Sequence, residues 1–106
     1  MTVRELHDKA MRLAQQASMH GELDQARSVA AEALVLERQA AELVENERSS
    51  EPTRSILYLS AASLALQAGQ YDDMRQLARE GLAGFPMART IAELNTLLEI
   101  AKETTP

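Results

Sequence analysis

His7 and His20 are the only histidines of the chain, and there is no cysteine. Thirteen residues apart, they cannot share one helical turn, and neither has beside it the carboxylate–His spacing that binds a metal on a helix. His20 reads instead as a helix-end residue, where a cation suits the negative end of the dipole. His7 reads as a surface residue. Asp72-Asp73 is a pair of the kind that performs acid–base chemistry, but it stands where a helix should start and complements the dipole there. Ser49-Ser50, ahead of Glu51-Pro52, offers hydroxyls for modification, although loop composition explains them equally well. The chain has no phosphate-cradling Gly loop, nucleophile elbow or Cys nucleophile. The expectation is a protein that is not an enzyme and needs no metal or cofactor.

The bulk composition agrees with a binding or structural role. At 106 residues the chain suits one domain with a single core. Hydrophobic residues make up 45% but aromatics only 3%, so Ala and Leu must build that core and let helices approach closely. Few Gly, Pro and β-branched runs argue for an all-α protein. A net charge of −5 disfavours nucleic acid and anionic lipid as partners. The start, Met1-Thr2-Val3-Arg4-Glu5, lacks the apolar core of a signal peptide. A soluble, cytoplasmic protein with no membrane contact is expected.

About five helices follow from the pattern. Thr2 and Glu5 have capping-box spacing. Val3, Leu6, Ala10, Leu13, Ala14 and Ala17 then line one helix face over roughly 3–19. Gly21 is expected to close that helix in a left-handed cap. A second helix should run from about Glu22 to about Glu47. Leu23, Ala26, Ala30, Ala33, Leu34, Ala40, Ala41 and Val44 form one stripe on it, and Val29, Leu36 and Leu43 a second. Its acids, Glu37, Glu42 and Glu45 among them, read as a solvated face. A linker over 46–52 leads to Pro52, well placed at a helix start. The uncharged run Ile56 to Ala68 marks a buried third helix, about 53–68, too short to span a bilayer. Gly69 should turn it into a fourth over 71–83. Met87, Ile91, Leu94, Leu98 and Ala101 define the fifth, about 87–103, with Leu97 and Ile100 beside them.

The two Gly turns expose a repeat. A bulky residue follows each by two (Leu23, Tyr71). Then come Ala30 and Ala78, Ala33 and Gly81, Leu34 and Leu82 at matching offsets. The chain here resembles the tetratricopeptide-repeat (TPR) family. In the copy from Ser55 to Pro86, Tyr58 stands at the family's early aromatic and Ala62 at its small residue. Gly69 and Tyr71 match the turn, Gly81-Leu82 the Ala-Leu pair, and Pro86 the closing proline. Met74 departs from a nearly constant small residue. In the first copy Ala10 replaces the aromatic and Arg38 the proline. Gly21 and Gly69 are 48 residues apart, beyond the family period of ~34, and the prolonged second helix and the linker take up the surplus. The resemblance implies antiparallel helical hairpins. Two TPR-like repeats, about 3–47 and 53–86, would be followed by a C-terminal capping helix. A plain five-helix bundle is the alternative.

The resemblance also implies a concave binding surface lined by the first helix of each repeat. In this chain it would present Met11, Arg12, Gln15 and Met19, with Asp8 and Ser18, from the first. Ile56, Leu59, Ser63, Leu66 and Gln67, with Ser60, would come from the second. Family members that clamp a terminal carboxylate use several cations there, and this chain offers only Arg12. The expected function is a non-catalytic adaptor or accessory subunit binding a protein partner through an apolar groove. Two alternatives stand: a self-associating module whose stripes form a homodimer, and a regulatory subunit of a bacterial enzyme or defence complex.

Overall fold

Residues 1–104 are described by the computed structural model, and all regular structure among them is helical. Helix α1 spans Val3–Met19, α2 Leu23–Glu42, α3 Thr53–Gln67, α4 Tyr71–Leu82 and α5 Ala88–Thr104, with a 3-10 turn over Arg48–Ser50. Each helix packs against its sequence neighbours in antiparallel pairs, and α3 also touches α5. The result is a slab of 40 × 36 × 19 Å.

Local chemistry sets most helix ends. At α1 the Glu5 N–H donates to Thr2 Oγ1 and the Thr2 N–H to Glu5 Oε1, both at 3.1 Å. These bonds, the backbone one foremost, hold the Glu5 carboxyl below its ordinary value. After α3, Gly69 adopts φ +75°. The Gln70 N–H reaches the Ala65 carbonyl at 2.8 Å and the Gly69 N–H that of Leu66 at 3.1 Å, the paired bonds of a Schellman cap.

The α1–α2 turn is different. Gly21 has no positive φ, and α1 ends instead on His20 in an extended conformation (φ −75°, ψ 130°). The left-handed cap expected at Gly21 does not form, because one extended residue is enough to turn the chain there. Leu23 beside it is 62% exposed rather than part of the buried stripe.

Helix α2 stops at Glu42, short of the expected Glu47. No breaker lies in this stretch. The last turn tightens, with the Val44 N–H on the Ala41 carbonyl at 3.1 Å, and beyond it the Asn46 amide donates to the Ala83 carbonyl just after α4, 3.4 Å away. The linker is therefore docked rather than loose.

The uncharged third helix is the centre of the core. Leu57, Tyr58, Ala61, Ala62, Leu64 and Ala65 are buried in it, against Ala33, Leu34 and Ala41 of α2 and Met74, Leu77 and Ala78 of α4. A Cβ on Gly81 would stand 3.1 Å from both Tyr58 Cβ and a Leu94 methyl, so glycine is what lets α4 lie between α3 and α5. That contact also selects the buried face of α5. Thr90, Leu94, Leu97 and Ala101 face inward, while Ile91, expected in the stripe, is 37% exposed and Met87 55%.

Candidate functional site

Helices α1 and α3 both pack antiparallel to α2, so they run the same way and start at the same edge. There Val3, Arg4 and His7 meet Pro52, Thr53, Ile56 and Leu57 around a pocket of about 380 Å³. Its walls are mainly aliphatic. Behind it His7 Nδ1 lies 2.9 and 2.8 Å from the two carboxylate oxygens of Glu37, which has no solvent exposure at all. His7 itself is 36% exposed.

Both residues depart from expectation. His7 is not a plain surface residue, because its ring is tied to α2. Glu37 is not on a solvated face. It sits in register with Ala30, Ala33, Leu34, Ala40 and Ala41, all buried on the core side of α2. That register was the available signal, since an acid at a core position needs a partner.

The other expected binding residues lie on α1 and along one face of α3, opposite its buried side. Met11 is half-buried, Arg12 and Gln15 are exposed, and Met19 is 78% exposed on α1. Ile56, 44% exposed, belongs to the pocket. At ~100° per residue, Leu59 and Leu66 lie only about 60° and 80° around α3 from Ile56, and both pack half-buried on the core. Ser63 donates its hydroxyl to the Leu59 carbonyl at 2.9 Å, and Gln67 is exposed. Leu36 of the second α2 stripe packs on the core, whereas Leu43 is 58% exposed beside Met1 at a separate hollow of about 510 Å³.

No family model, curated protein or solved structure matches the chain.

A second polar cluster joins the α2–α3 and α4–α5 connections. The Glu51 carboxylate accepts from the Ser55 N–H (2.9 Å), the Ser55 hydroxyl (2.7 Å) and the Phe85 N–H (3.0 Å). Burial raises its pKa, but these bonds and the nearby Arg54 guanidinium outweigh burial and leave it below the ordinary value. Arg54 is buried, its guanidinium 4.7 Å above the Tyr58 ring, and its Nη1 has no hydrogen-bond partner. Burial, then the Glu80 carboxylate, raises the Tyr58 hydroxyl. Gly84 completes the cluster, since a Cβ there would collide with the Arg54 guanidinium. The chemistry of this cluster is that of a latch.

Among the described residues there is no group of three or more His, Cys, Asp or Glu that could hold a metal, and no helix is long and apolar enough to cross a membrane.

Proposed function

We propose that the chain is a non-catalytic protein-interaction module of TPR-like build. Its docking surface would be the face formed by α1 and α3, centred on the pocket at their N-terminal ends. The pocket carries this reading, because it sets aliphatic walls from two helices beside exposed Ile56 and half-buried Met11. Supporting the repeat assignment are the Schellman turn at Gly69, the buried Ala62 and the close approach at Gly81. A photo-crosslinking residue at position 56 should capture a partner that one at Arg89, on the outer side of α5, does not. Equal capture from both positions would sink the docking-face assignment.

A second reading has its own observation. Met1, 66% exposed, and Leu43 adjoin the hollow between the start of α1 and the end of α2. A second copy covering them would make the chain a self-associating module.

A further inference from the structure

Glu37 is wholly buried on the core side of α2, and both its oxygens lie against one nitrogen, His7 Nδ1, at 2.9 and 2.8 Å. A carboxylate only accepts hydrogen bonds, so Nδ1 is the nitrogen that carries the proton. The other nitrogen, Nε2, stands on the opposite side of the ring. No protein atom among the described residues bonds it, and it is not one of the buried polar atoms left unpaired, so it is open to solvent. The pocket wall around the ring holds Arg4, Thr53 and aliphatic residues, and no carboxylate. Arg4, one turn before His7, is 91% exposed and reaches Asp8 only at 4.0 Å. His20 offers the contrast. It is exposed at the end of α1 and has no carboxylate partner among the described residues.

From this arrangement we infer that His7 is a modification site, a histidine that accepts a phosphoryl group on Nε2 from a phosphoramidate such as the phosphohistidine of a partner protein. The inference stands apart from the docking-face reading. In the step, the Nε2 lone pair forms a bond to phosphorus, the P–N bond of the donor breaks, and the protonated donor nitrogen leaves with that electron pair. The ring then carries positive charge, shared with the Nδ1–H that faces Glu37. A carboxylate in that place holds the ring in the tautomer that attacks through Nε2 and stabilises the charge as it develops. Arg4 can turn onto the phosphoryl oxygens, which a guanidinium binds in its fork. Burial adds the reason that His7 rather than His20 suits this role. A buried carboxylate needs a cation beside it, and the phosphorylated ring supplies one as an imidazolium does. Glu37 is thus a positioning residue, and His7 the residue that reacts.

The test treats the full chain with potassium phosphoramidate at neutral pH and follows each histidine by mass spectrometry, with phosphorus NMR to tell the Nε2 isomer from the Nδ1 isomer. His7 should be labelled at least about tenfold faster than His20, on Nε2, and the preference should vanish in urea. Glu37→Gln keeps an acceptor for the Nδ1–H and removes the charge. With circular dichroism verifying the fold, it should slow labelling of His7 at least about tenfold and leave that of His20 unchanged. Equal rates at the two histidines of the folded chain, or label on Nδ1 of His7, would reduce His7 to the ion-pair partner of Glu37 and overturn the inference. A folded Glu37→Gln variant that labels His7 as fast as the wild type would overturn it as well, since orientation by the carboxylate is its basis. If that variant does not fold, the ratio of the two histidines in the native chain and in urea decides alone.

Discussion

Glu37 concentrates the chemistry of the core in one carboxylate. It is wholly buried, and His7 is its hydrogen-bonding partner from α1. Removing that partner should strand a charge away from water. His7→Leu is expected to cost about 2–3 kcal/mol, towards the low end for breaking a buried pair because His7 is itself part-exposed. Adding Glu37→Met should recover most of the loss, since the desolvation cost leaves with the charge. Urea unfolding at neutral pH measures both. If His7→Leu alone costs less than ~0.5 kcal/mol, Glu37 reaches water and is not a core group.

Glu51 supplies a pH signature at the same scale. Its folded pKa lies below the ordinary value, so it stabilises the fold above the unfolded value of about 4.3, and that contribution is lost as pH falls through the folded value. Glu51→Gln should therefore be less stable than the wild type at neutral pH. The gap between them should close as pH drops below about 4. A gap that stays constant across that range would show that the Ser55 and Phe85 bonds do not depend on the charge.

At the scale of elements, the two glycine turns separate sharply. Gly69 sits at φ +75° inside a Schellman cap, where an L side chain is strained. Gly69→Ala should cost about 1–2 kcal/mol. Gly21 has an ordinary φ and open space around its would-be Cβ. Gly21→Ala should be neutral or stabilising by up to about 1 kcal/mol, through the unfolded chain. Matching losses from the two substitutions, read from thermal midpoints, would contradict the turn geometry. The latch around Glu51 and Arg54 acts between elements as well. It pins the α2–α3 connection, the start of α3 and the segment after α4 together.

At the scale of the molecule, the docking face and the Met1–Leu43 hollow make different demands on assembly. A chain that keeps both faces free should scatter light as a monomer of 11.7 kDa at micromolar concentration. Leu43→Glu should then change neither mass nor, beyond about 0.5 kcal/mol, stability, since Leu43 is exposed. A mass near twice that value, falling to the monomer in Leu43→Glu, would assign the hollow to a homodimer.

The sequence by itself determined the helices and most of their ends. Capping-box spacing at Thr2, the three- and four-residue apolar steps of α1 and the uncharged run of α3 are local signals, and local hydrogen bonding and periodicity act on them directly. The small residues Ala62, Ala78 and Gly81 likewise announced close helix contacts before any fold was known. Only the tertiary structure shows the connection after α2 docked on the far side of the fold, where Asn46 bonds the Ala83 carbonyl some forty residues away in the chain. It also decided which face of α5 turns inward, since that depends on Leu94 meeting Gly81. The polar pairs inside the fold belong to the same class. A carboxylate at position 37 looks like any other surface acid until packing brings His7 against it, and a pocket between α1 and α3 exists only because both lie antiparallel on α2.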